Sequence, residues 1–143
     1  PGLCGEHEDQ AFDELARPSE GRAGRIARLL VMSMLPALVE NDIESFGAAL
    51  TDIQRLVGDS FSPVQGGRYA NRVSGRLIDD LLALGAVGAG QSSWGPTVYG
   101  LVRGENAART LKQELERGSD GKQLTIHISG ASERGARVTE LLR

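Results

Sequence analysis

Gly85-Ala86-Val87-Gly88-Ala89-Gly90-Gln91-Ser92-Ser93-Trp94-Gly95-Pro96-Thr97-Val98-Tyr99-Gly100 leaves a helical pattern and enters a strand pattern, and it decides the fold. It holds five of the chain's 19 glycines. A backbone so rich in glycine reaches positive φ and lets a ligand approach bare N–H groups. Gln91, Ser92, Ser93 and Thr97 add polar groups, and Trp94 is the chain's only indole. A tight turn packed by Ser93 and Trp94 explains the same string, because short glycine patterns arise by chance. Ala86 to Gly90 reads as a short strand and Thr97 to Val102 as a stronger one, with β-branched and aromatic residues. Together they predict a hairpin whose loop is Gln91 to Pro96.

Upstream of this string, Ala70, Val73, Leu77, Ile78, Leu81 and Leu84 mark a helix that Gly85 stops. Residues 58–67 are loop-like by composition. Their Gln65-Gly66-Gly67 ending, placed just before a helix, suits an anion meeting free N–H groups at a positive dipole end, or a plain connector. Ile43, Phe46, Leu50, Ile53 and Val57 form an apolar stripe. Asn41 and Glu44 have the spacing of a capping box, and Gly58 gives the stop. From Gly21 to Val39 the apolar residues again follow a helical period, with Pro36 predicting a bend. Arg22, Arg25 and Arg28 share a flank that reads as a solvated face. Residues 1–20 read as a polar, frayed terminus in which Phe12 and Leu15 could share one turn.

Downstream, Glu105 to Arg117 predicts a helix with Ala108, Leu111 and Leu115 inward. Gln123 to Ser129 alternates apolar and polar residues, the period of a half-buried strand. It places His127 on a polar face. The tail, Ala131 to Arg143, allows a last turn around Val138, Leu141 and Leu142. Consecutive helices, a hairpin, a helix and a strand predict an α+β domain, a small antiparallel sheet covered by helices. Three strands are few, and a strand ahead of Pro1 would complete a four-stranded sheet.

At 143 residues and a formal net charge of −3, the chain suits one domain and argues against nucleic acid or an anionic membrane as partner. No run approaches the roughly 18 apolar residues of a membrane span. The single cysteine, Cys4, excludes an internal disulfide and reads as a small apolar filler. The two histidines, His7 and His127, lack partners at metal-ligand spacing, so no metal ligands are assigned. Lys112 and Lys122 are the only lysines against many arginines, a bias that genome composition explains as well as anion binding. The chain opens Pro1-Gly2 with no targeting pattern, which suggests a cytoplasmic piece of a longer protein.

Gly85 to Gly90, closing a helix and opening a strand, resembles the third, glycine-rich motif of the GHMP kinase superfamily. The helix and strand that follow look like the rest of its ferredoxin-like C-terminal domain. Gly90 to Tyr99 is similar to one branch, the archaeal-type beta-ribofuranosylaminobenzene 5'-phosphate synthases. So are Phe46-Gly47 with Gln54, Val57-Gly58 and Phe61, then Gln65-Gly66-Gly67, and the opening Gly2-Leu3-Cys4-Gly5 with Glu8 and Phe12. The likeness runs from residue 2 to about 128.

The resemblance implies the C-terminal domain of a two-domain methanopterin-pathway transferase. Such an enzyme would join a 4-aminobenzoate-type acid to phosphoribosyl pyrophosphate, releasing CO2 and pyrophosphate, with Mg²⁺ held in concert with a preceding domain. Alone, this domain would be inactive. The implied phosphate and substrate contacts are Gly88, Gly90, Gln91, Ser92, Ser93, Trp94, Gly95, Thr97, Gln65 and Gly66, with no catalytic residue assigned. Gln91 would orient a carboxylate or a ribose hydroxyl. Trp94 or Tyr69 would stack on a ring or simply pack. Glu6 and Glu8 could help hold a metal only if the terminus folds back on the loop.

The superfamily's kinases usually continue with more glycines after Gly90, where this chain has Gln91-Ser92-Ser93-Trp94. Two other readings remain: an ATP-dependent small-molecule kinase of the same superfamily, or a non-catalytic ligand-binding or homodimerisation module.

Overall fold

The computed structural model describes residues 5–118, 124–132 and 134–136. Its order is α1 (Glu6–Glu14), α2 (Glu20–Leu29), a π turn (Leu30–Met34), α3 (Leu35–Glu40), α4 (Ile43–Gln65), α5 (Arg72–Ala83), β1 (Gly88–Gln91), β2 (Val98–Leu101) and α6 (Gly104–Gly118). The architecture is α+β, with one two-stranded antiparallel sheet among the described residues. β1 and β2 pair from Gly88↔Leu101 to Gln91↔Val98. The expected hairpin is present.

The 23-residue α4 is the spine. Its cap differs from the expected Asn41 box. Asp42 is the N-cap and accepts from the Ser45 N–H at 3.0 Å, while Asn41 ends α3 in the left-handed region at φ 58°. Hydrogen bonding from Ser45 holds the Asp42 carboxyl below its usual range.

Gly58 does not stop this helix, and residues 58–65 are helical rather than a loop. The helix can continue because Gly58 is where the Arg68 backbone crosses: a Cβ there would lie 2.5 Å from the Arg68 carbonyl oxygen. Pro63 removes the N–H that the Asp59 carbonyl would accept, and the Ser62 hydroxyl donates to that carbonyl instead, at 3.0 Å. Gly66 then closes the helix at φ 80°. Gln65 and Gly66 therefore sit at the carbonyl end of α4 and do not open α5. That helix starts at Arg72, where the Asn71 side chain accepts from the Ser74 N–H at 2.8 Å. The anion reading of this ending loses its N–H groups.

The helix expected over Gly21–Val39 is interrupted where Leu35 N–H bonds to the Leu30 carbonyl, five residues back. Pro36 follows at the start of α3, so its missing N–H falls where the helical ladder changes register. Leu38 and Val39 remain exposed, with Met32 exposed alongside them.

The core gathers Ile78 and Leu81 from α5, Ala86, Ala89 of β1 and Leu111 of α6. Against α4, the buried residues are the small ones, Gly47, Ala49, Thr51 and Gly58. The larger stripe of Ile43, Phe46, Leu50, Ile53 and Val57 is only half-buried.

The strand expected from Gln123 does not form: Leu124 to Ser129 join no ladder. The alternating pattern is present, but a strand needs a neighbouring edge to pair with. The Ile126 carbonyl instead accepts from Lys112 Nζ at 3.1 Å. Cys4, Gln123 and the tail beyond 136 lie outside the described residues.

Candidate functional site

The glycines of the hairpin meet protein. A Cβ on Gly88 would lie 2.5 Å from the Gly47 carbonyl oxygen and 2.7 Å from Gly47 Cα. One on Gly90 would meet Gln54 Cγ at 2.6 Å and the Tyr99 hydroxyl at 2.7 Å, and one on Gly95 would meet Ala70 Cβ at 2.7 Å. These absent side chains let β1 lie on the backbone of α4. Thr51 fixes the contact: its hydroxyl donates to the Gly47 carbonyl at 2.9 Å and accepts from the Ala89 N–H at 3.0 Å. A phosphate cradle is not what these glycines form.

Gln91 is buried, and its amide serves the backbone. Oε1 accepts from the Ala70 N–H at 2.7 Å and Nε2 donates to the Ser93 carbonyl at 2.9 Å. It thereby ties the hairpin tip to the segment before α5. Orienting a substrate, the role the resemblance implied, would compete with both bonds.

Beyond Gln91 the chain turns sharply. Ser92 N–H bonds to the Thr97 carbonyl and Gly95 N–H to the Ser92 carbonyl, each at 2.9 Å, and Ser93 takes a left-handed φ of 48°. Ser92, Ser93 and Thr97 are exposed. Among the described residues their hydroxyls, and the N–H groups of Ser93 and Trp94, take no hydrogen-bond partner. This tip can donate to an oxygen-rich ligand.

Trp94 points inward and is 3% exposed. It stacks on Phe61 of α4 at 4.4 Å between centroids and meets the edge of Phe12 of α1 at 5.4 Å. The terminus thus folds onto the loop as helix α1. Three of the chain's six aromatic residues gather there, and that scarcity was the signal that could have marked Phe12 and Phe61 as tip residues. Trp94 Nε1 and Gln65 Oε1 are each buried without a partner among the described residues. Gln65 Nε2 donates to the Arg68 carbonyl at 2.8 Å.

Two ionisable groups near this region are displaced. Burial raises the Tyr99 hydroxyl's pKa. The Arg68 guanidinium is raised by its hydrogen bonds to Asp59. Among the described residues no three His, Cys, Asp or Glu side chains come together in a metal-holding group. No described helix is long and apolar enough to cross a membrane.

A helix-covered hairpin whose first strand lies on Gly47 of a long helix defines the class. Residues 34–120 match the family described as GHMP kinases C terminal, and the chain belongs to it. Its relatives include the beta-ribofuranosylphenol 5'-phosphate synthase of Methanothermobacter thermautotrophicus, 32% identical over 94% of this chain and 38% of that protein. The synthase of the same name from Archaeoglobus fulgidus is 36% identical over 71% of this chain and 29% of its own length. A 4-diphosphocytidyl-2-C-methyl-D-erythritol kinase of a Geobacter species is 37% identical over 49% of this chain and 24% of its own length. The chain thus spans well under half of each of these relatives. No solved structure matches it.

Proposed function

We propose that this chain is the C-terminal part of a synthase that makes an aryl β-ribofuranoside 5'-phosphate from phosphoribosyl pyrophosphate and an aryl carboxylic acid. The observation that carries the reading is the similarity to the Methanothermobacter synthase over 94% of this chain. The names of both synthases put a phenol on the product, which favours a hydroxybenzoate acceptor over the 4-aminobenzoate type expected from the sequence. In the reaction, ribose C1 bonds to the ring carbon that bears the carboxylate. The C1–oxygen bond breaks with its electron pair leaving on pyrophosphate, and the ring–carboxylate bond breaks to give CO2. No net proton is exchanged.

The residues in hand supply binding. Developing charge on a diphosphate leaving group needs donors fixed in advance. The Ser92, Ser93 and Thr97 hydroxyls and the Ser93 and Trp94 N–H groups are such donors, on a turn held by Gln91 and backed by Phe12 and Phe61. No described side chain at the tip is an acid or base, so proton and metal chemistry are not assigned to it.

The test incubates the full-length protein with phosphoribosyl pyrophosphate and carboxyl-labelled 4-hydroxybenzoate. Labelled CO2 and pyrophosphate in equal amounts are expected, and Ser92→Ala with Ser93→Ala should lower kcat about 100-fold. ATP consumed with a sugar or acid acceptor would instead establish the kinase reading, which the Geobacter relative favours.

A further inference from the structure

Arg22, Arg25 and Arg28 recur at three-residue steps along α2, a spacing that puts them on one side of the helix. The structure lays that side against α4. Arg22 is tied there, with Nη1 donating to the Ser60 hydroxyl at 3.1 Å. Arg25 and Arg28 instead open onto a groove of about 460 Å³ between α2, the π turn and α4, and Arg55 and Arg68 enter it from the other wall.

The charges do not cancel. Arg55 pairs with Asp52 at 3.2 Å, and Arg68 grips Asp59 with two bonds of 2.7 and 3.1 Å. Among the described residues, Asp52 and Asp59 are the only acids lining the groove, against four guanidiniums, and Arg25 and Arg28 have no acidic partner. Four positive charges less two negative leave the groove at +2 in a chain whose net charge is −3. Local charge opposite to the whole molecule's, in a concavity, concentrates ligands of the matching sign. Leu29, Met32 and Leu56 line the same groove and supply an apolar surface beside the guanidiniums. A free inorganic anion would leave that surface wet.

The geometry points to a binding site for a small phosphate monoester with an aryl or similarly apolar body. Its dianionic end meets the forks of Arg25 and Arg28, which suit phosphate oxygens, and its body covers Leu29, Met32 and Leu56. The site is separate from the hairpin tip. Residues 52, 55, 56 and 59 occupy a different flank of α4 from Thr51 and Phe61, which face β1 and Trp94 respectively. The inference does not rest on the synthase reading, since it concerns binding and not turnover.

Phenyl phosphate is the probe. Calorimetric titration should show one saturable site on the chain, with inorganic phosphate and phenol each at least about tenfold weaker. The double variant Arg25→Gln, Arg28→Gln should lose at least about 30-fold in affinity, whereas Arg109→Gln on α6 should bind as the unaltered chain does. Both substituted arginines are exposed, so folding is not at stake. A second measurement needs no variant. The chain has two methionines, of which Met32 lines the groove and Met34 does not. With ¹³C-methyl methionine, saturation with phenyl phosphate should shift the Met32 methyl signal by ring current and leave Met34 near its free position. Undiminished binding by the double variant, inorganic phosphate binding as tightly as phenyl phosphate, or an unmoved Met32 signal at saturation would each overturn the proposal.

Discussion

Gly88→Ala asks what the glycine-rich string is for. The added methyl would sit 2.5 Å from the Gly47 carbonyl oxygen and 2.7 Å from Gly47 Cα, both backbone atoms with no rotamer to escape into. Ordinary contact is roughly 3.5 Å, so α4 and β1 must part by about 1 Å. Overpacking of that kind costs about 1–3 kcal/mol. The same retreat stretches the 3.0 Å bond from Ala89 N–H to Thr51, a buried hydrogen bond whose loss adds about 1 kcal/mol. A total near 3 kcal/mol corresponds to a melting temperature lower by about 10 °C in a domain of this size. Gly24→Ala is the contrast. It lies inside α2 with nothing within 4 Å of its added methyl, and should gain about 0.5–1 kcal/mol from helix propensity alone. The assay is thermal unfolding followed by circular dichroism, checked by urea denaturation. If Gly88→Ala melts with the unaltered chain, the close approach of α4 and β1 is wrong and the glycine is free to serve a ligand.

Thr51→Val keeps the shape and removes the hydroxyl, leaving the Ala89 N–H buried and unpaired. A loss of about 1–3 kcal/mol is expected by urea denaturation, and an unchanged midpoint would mean another acceptor takes that N–H. Tyr99 gives a pH dependence. Burial raises its folded pKa above the ordinary 10.0, so its stabilising contribution is complete below pH 10 and fades as pH rises toward the folded value. Tyr99→Phe should flatten the alkaline fall in melting temperature, and an identical fall in both proteins would contradict the burial of that hydroxyl.

The hairpin, α5 and α6 were legible because each carries a local signal: a turn-rich string between two strand-like runs, or an apolar face at helical spacing. What the sequence concealed depended on atoms far along the chain. Gly58 looks like a stop, but whether a glycine ends a helix or admits a crossing segment of backbone depends on Arg68, ten residues away in sequence and touching in space. Pro63 looks like a breaker, and Ser62 supplies the hydrogen bond that lets the helix pass through it. Leu124 to Ser129 has strand periodicity, which specifies a face and not a partner. At the candidate site, Ser92, Ser93 and Thr97 were legible as polar loop residues. The inward turn of Trp94 onto Phe61 and Phe12 was not, because it joins residues from three separate elements.

The direction in which a glycine faces is the property a sequence withholds, and here it redistributes the binding chemistry. With Gly88, Gly90 and Gly95 closed against protein, donors at the hairpin tip reduce to three hydroxyls and two N–H groups, none carrying charge. Neutral donors discriminate by geometry and gain most where charge develops during a reaction. The α2–α4 groove has the complementary character, with two uncompensated guanidiniums that attract a standing dianion before any bond changes. α4 separates the two, presenting Thr51 and Phe61 to the hairpin and Asp52 and Asp59 to the groove. A tip variant such as Ser93→Ala should therefore leave phenyl phosphate affinity unchanged, and a groove variant should leave the Trp94 fluorescence where it was.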